Sequence, residues 1–92
     1  MTTLKEQLQA DLTDSMRAHD AVRSSTIRMA LAAITTEEVS GKAARVLTDA
    51  ELITVITREG KKRREAIEAF TAANRPDLAD KEAAELAVLE HY

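Results

Sequence analysis

The chain predicts an all-α fold, an antiparallel four-helix bundle, and three observations carry that reading. Two glycines and one proline in 92 residues leave long helices almost unpunctuated. Apolar residues recur at three- and four-residue spacing in four separate stretches. Leu, Ile, Val, Met and Ala supply nearly all the apolar content, and the aromatic residues are Phe70 and Tyr92. A small helical core is normally built that way, with modest stability because a domain this size buries a limited share of its surface.

The first helix is expected from about Thr3 to Ala18. Leu4, Leu8, Leu12 and Met16 form its stripe, and Lys5, Glu6, Asp11, Asp14 and Arg17 fall mostly away from it. Asp20 suits the N-cap of a second helix running to about Val39. Val22, Ile27, Met29, Ala30, Leu31, Ala33 and Ile34 cover more than half its circumference, so it is expected at the centre of the bundle. Ser40-Gly41 ends it, with Gly41 as the stop. After a polar linker through Arg45, Thr48-Asp49-Ala50-Glu51 reads as a capping box, with Val46 or Leu47 as its staple. The third helix extends to about Ala73 and is the longest. Asn74-Arg75-Pro76 stops it, because the residue before proline avoids the helical region. Pro76 or Asp77 opens a fourth helix with Leu78, Leu86 and Leu89 on one face.

Residues 1–92 read as one domain, or one part of a larger one, with no internal repeat or low-complexity segment. No cysteine is present, so disulfides, thiol catalysis and thiolate zinc sites are excluded together, and a reducing cytoplasm suits the composition. The N-terminal residues lack the apolar run of a signal peptide, and no stretch approaches membrane-spanning length. The net charge of −3 argues against a strongly basic nucleic-acid binder. Five cations nevertheless bunch within seven residues, at Arg58 and Lys61 to Arg64.

That run carries the chemistry. On a wheel of about 100° per residue, Arg63 lies in the middle of the arc defined by Leu52, Ile56, Ile67 and Phe70, with Glu59 at its margin. Glu82 falls likewise between Leu78, Leu86 and Leu89. Two opposite charges, each on the apolar face of its helix, are natural partners, because a buried ion must be paired. An Arg63–Glu82 pair is therefore expected across the third and fourth helices, with Glu59 one turn back and Arg23 joining. The functional alternative is a polar pocket that receives a ligand or a partner's carboxylate. Arg58, Lys61, Lys62 and Arg64 point outward and are the candidate phosphate contacts. The plainer alternative is a solvated face, with Lys61–Glu65 and Arg64–Glu68 spaced as i,i+4 pairs. No aromatic platform accompanies them, so base stacking is unsupported.

No catalytic residue is assigned. His19 and His91 have no second ligand at metal spacing, and no base is placed to activate Ser24-Ser25-Thr26. Glu37-Glu38 and Glu82/Glu85 are too common on helices to signal acid–base chemistry. No phosphate-binding glycine loop exists. No metal and no cofactor are expected.

Three blocks resemble the GatB/YqeY family: Val22-Arg23-Ser24-Ser25-Thr26-Ile27-Arg28-Met29-Ala30-Leu31-Ala32-Ala33-Ile34, then Lys61-Lys62-Arg63-Arg64-Glu65-Ala66, and Arg75-Pro76-Asp77-Leu78 running through His91-Tyr92. The alanine-rich wording resembles versions from high-GC Gram-positive bacteria. The resemblance implies a four-helix part followed, in the family, by a three-helix part similar to the tail of the B subunit of the tRNA-dependent amidotransferase. It implies an accessory role, helping to bind tRNA for an amidotransferase or aminoacyl-tRNA synthetase, and a family label of carbon–nitrogen ligase with glutamine as amido donor. On this reading the chain matches the four-helix part alone. Gly60 stands where relatives usually carry an apolar residue, and Thr35-Thr36 replaces a more basic or amide-bearing pair. A protein–protein adaptor without nucleic-acid contact is the alternative. Its sign would be an exposed apolar patch beside Leu86 to Tyr92.

Overall fold

A computed structural model describes residues 2–92, which form α1 (Leu4–Arg17), α2 (Ala21–Glu38), α3 (Asp49–Ala72) and α4 (Pro76–Glu90). Side-chain oxygens start three of them. Thr3 and Thr48 each build a reciprocal capping box, with Glu6 and Glu51 respectively, and Asp20 accepts from the Arg23 N–H at 3.1 Å. Leu47 is the staple of α3: it is buried beside Leu52 in the core, whereas Val46 is 85% exposed. The backbone N–H of Thr48, followed by Arg45, holds the Glu51 carboxyl below its ordinary range. Pro76 occupies the first turn of α4, where its missing N–H costs nothing.

Two helices stop without glycine. His19 and Asn74 take left-handed backbone, at φ 56° and 57°. Behind them, the Asp20 N–H reaches Ser15 O at 2.9 Å and the Arg75 N–H reaches Phe70 O at 2.8 Å, the Schellman pattern in both cases. Gly41 plays no such part, because no glycine has positive φ. Instead α2 ends at Val39, and the Arg45 N–H returns to Glu38 O at 3.0 Å.

Side-chain pairs show that successive helices run in opposite directions. Lys5 meets Glu38 at one end of the α1–α2 pair, at 3.0 Å, and Ser15 meets Ser24 at the other, at 2.8 Å. The α3–α4 pair is the most extensive contact in the bundle. The expected central place of α2 is shared, since α2 and α3 each touch all three other helices. The molecule measures 43 × 33 × 17 Å, a slab about two helix layers thick. So flat a bundle covers a narrower arc of α2 than its sequence offers. Val22 and Met29 consequently stay 40% and 46% exposed, while Ile27, Ala30 and Ile34 fill the core with Leu8, Leu52, Val55, Ile56 and Leu89.

The stripe on α1 is corrected in the same way. Steps of four residues drift by about 40° each on a helix of 3.6 residues per turn. The drift carries Met16 out to 43% exposure and brings Asp11 and Ser15 inward, to 7% and 0%.

Candidate functional site

Arg63 sits at the centre of the buried face of α3, 6% exposed. Its Nη1 donates to Glu59 Oε2 at 3.3 Å. Its Nε lies 3.6 Å from Glu82 Oε2 and 3.3 Å from Glu85 Oε2. Three carboxylates thus surround one guanidinium, and burial, with the charge of Glu85 added, pushes the Glu82 carboxyl above its ordinary range. Nη2 turns to Met29 Sδ at 3.6 Å, while Nε has no partner in hydrogen-bond geometry among the described residues.

Glu85 is the residue that sequence reasoning missed. Measured from Leu78, Leu86 and Leu89 alone, it lies at the margin of the apolar arc of α4. Val88 and Tyr92 also pack against the core, and counting them widens the arc until Glu85 stands in its middle. Arg23 corrects the expected cluster. It does not join Arg63 but faces Asp11 across α1 and α2, at 3.8 Å. The wheel gave only that Arg23 lay on an apolar face, and the drift of the α1 stripe decided which acid it would find there.

Asp11 anchors a second polar centre. It accepts from Gln7 Nε2 at 2.9 Å and from the Tyr92 hydroxyl at 2.5 Å. Burial, then this bond to Asp11, pushes the Tyr92 hydroxyl well above the ordinary tyrosine range. The last residue after α4 is thereby tied to the first helix. Ser15 and Ser24 share a bond beside it, and Thr26 donates to Val22 O at 2.8 Å, so the Ser24 and Thr26 hydroxyls are spent on structure.

The outward cations divide into two pairs. Arg58 approaches Glu37 at 3.4 Å, and Lys62 approaches Glu59 at 3.2 Å. Lys61 and Arg64 have no carboxylate within 4.0 Å among the described residues, so the expected Lys61–Glu65 and Arg64–Glu68 pairs are not formed. Acids therefore interleave the ridge at its edge nearest α2 and leave it open at Lys61 and Arg64.

Beside Arg64 the α3–α4 contact opens into a cleft of about 200 Å³, lined by Ile53, Ile56, Gly60, Leu86 and Leu89. A Cβ at Gly60 would stand 3.6 Å from Leu86 Cδ1 and 3.9 Å from Arg64 Nη1, both ordinary contacts, so the floor of the cleft has room for a small side chain there. The apolar patch expected from Leu86 to Tyr92 is reduced to this cleft, since Leu89 is 3% exposed and Tyr92 is held by Asp11. His19 and His91 are exposed, and no group of three metal-ligating side chains occurs among the described residues. No helix among them is long and apolar enough to cross a membrane.

The family profile described as YqeY-like protein matches residues 5–92. An uncharacterized protein of Schizosaccharomyces pombe is 34% identical over 89 residues, 97% of this chain and 71% of its own length. Proteins named altered inheritance of mitochondria protein 41, mitochondrial, are similar too. That of Pyrenophora tritici-repentis is 37% identical over 86 residues, covering 94% of this chain and 46% of the relative. That of Kluyveromyces lactis is 35% identical over 85 residues, covering 92% and 45%. The chain thus spans somewhat under half the length of these two mitochondrial relatives. All three relatives are fungal, which lends no support to the bacterial origin expected from the alanine-rich wording. With the profile matching nearly every residue, the chain belongs to the YqeY-like protein family.

Proposed function

We propose that this YqeY-like domain is a non-catalytic accessory module that helps hold tRNA for an amidotransferase or an aminoacyl-tRNA synthetase in the cytoplasm. The carbon–nitrogen ligase chemistry with glutamine belongs, on this reading, to the partner. The observation that carries it is the pair Lys61 and Arg64, both exposed and with no carboxylate within 4.0 Å among the described residues. Arg58 and Lys62 reinforce them: their side chains are 56% and 67% exposed. Surface ion pairs are worth about 0–1 kcal/mol, so an incoming phosphate displaces Glu37 or Glu59 at little cost. Two to four phosphate contacts predict affinity that falls roughly 10- to 100-fold between about 50 and 200 mM salt. Filter binding of tRNA measures this directly. Replacing Lys61 and Arg64 by alanine flattens the dependence without unfolding the bundle. Absence of binding, or binding indifferent to salt, rejects the reading.

A second reading rests on the cleft at Gly60. Ile53, 40% exposed above it, gives an apolar contact that a protein partner would cover, and the domain would then be an adaptor. Capture of an amidotransferase or synthetase subunit that survives nuclease treatment, and is lost in Gly60→Leu, favours this reading over the first.

A further inference from the structure

The Arg63 guanidinium is buried but poorly supplied with acceptors. It carries five N–H donors. Nη1 has Glu59, Nε has no partner in hydrogen-bond geometry among the described residues, and Nη2 has only a thioether sulfur, Met29 Sδ, at 3.6 Å. Thioether sulfur is a weak acceptor, and an under-bonded buried cation is costly. Met29 itself is 46% exposed on the outer side of α2. A half-exposed methionine thus turns its oxidisable sulfur to a donor in need of an oxygen.

We propose that Met29 is an oxidation site whose sulfoxide oxygen is received by the buried Arg63 guanidinium. A sulfur lone pair attacks one oxygen of a peroxide, the O–O bond breaks and an S–O bond forms. The proton of the transferred hydroxyl passes through solvent to the leaving oxygen. With hydrogen peroxide the products are the sulfoxide and water: sulfur loses two electrons and the peroxide gains them. The sulfoxide oxygen is a strong acceptor and turns the weak N–H···S contact into a charge-assisted bond. Methionine oxidation ordinarily damages a fold by making an apolar side chain polar. Here it tightens α2 against the α3–α4 ionic centre, and methionine sulfoxide reductase reverses it.

Met16 provides the internal comparison. It is 43% exposed, and its sulfur accepts from Arg28 Nη2 at 3.1 Å. Arg28 is exposed, so a sulfoxide there only replaces bonds to water.

The experiment treats Met16→Leu and Met29→Leu, each as the full chain, with hydrogen peroxide, verifies the sulfoxide by peptide mass spectrometry and compares thermal midpoints. Oxidised Met16→Leu is expected to unfold roughly 4–8 °C higher than its untreated form, the shift that one well-satisfied donor produces in a domain this small. Met29→Leu is expected to be unmoved. Met29→Gln places an acceptor at the same position without oxidation and is expected to unfold above Met29→Leu. A fall or no change in oxidised Met16→Leu overturns the proposal. So does Met29→Gln unfolding at or below Met29→Leu, or resistance of Met29 to peroxide that oxidises Met16.

Discussion

Arg63 and Glu85 meet at 3.3 Å in the interior of the α3–α4 contact, each 6% exposed and each central to the buried face of its helix. The pair sits where two apolar side chains would pack. Removing one member strands the other in a low-dielectric setting, and that penalty exceeds whatever the intact pair contributes. Its value to the fold is therefore register: α4 can slide or rotate on α3 only by leaving a buried charge without its partner.

Glu82 is the surplus acid of this centre. Arg63 faces three carboxylates, from Glu59, Glu82 and Glu85, with Lys62 on Glu59 and Lys81 on α4 as the other nearby cations. Burial raises its folded-state pKa above the unfolded value, so the folded protein binds more protons. Stability from this group is fully present below the ordinary glutamate pKa and is lost as pH rises through the folded one. Urea unfolding of Glu82→Gln across pH 4 to 8 should show a flatter decline than the parent, with stability at pH 7 equal or higher. A steeper decline would contradict this placement of the proton.

Tyr92 closes the bundle from the opposite end of α4. Tyr92→Phe removes the bond to Asp11 and should cost about 1–2 kcal/mol in chemical unfolding at pH 7, between a neutral and a charged-partner bond. The hydroxyl is also harder to ionise in the folded state. The parent should therefore lose stability above about pH 10, the ordinary tyrosine range, and Tyr92→Phe should lose less.

Backbone chemistry gives three stabilising changes. Gly60→Ala meets only the Leu86 and Arg64 side chains, both at ordinary distances, and should add about 0.5–1 kcal/mol. His19→Gly relieves left-handed backbone at φ 56° and should add about 1 kcal/mol. Asn74→Gly should add less, because asparagine tolerates that region better. Thermal midpoints of the three proteins check the order.

The sequence disclosed the helices, the N-caps at Asp20 and Thr48 and the misplaced charge at Arg63, because helical period and cap chemistry are local. Leu47 over Val46, and His19 and Asn74 in place of Gly41 as left-handed stops, needed the path of the chain between helices. Glu85 needed the knowledge that Val88 and Tyr92 are inside. Arg23 was misassigned because a wheel gives a face, while the partner on that face depends on which helix packs there. Arg58 lost its apparent freedom for the same reason, since Glu37 reaches it only once α2 and α3 are docked, whereas Lys62 pairs with Glu59 one turn back on its own helix.

A double-mutant cycle on Arg63→Met and Glu85→Leu tests the ionic centre most directly. Arg63→Met alone should cost about 3–5 kcal/mol, a large share of what a small domain possesses. In the Glu85→Leu background the same change should cost at least about 2 kcal/mol less, a coupling of the size expected for buried neighbours. Equal costs in both backgrounds would mean that the two charges do not depend on each other, and the account of how α4 is held to α3 would fail.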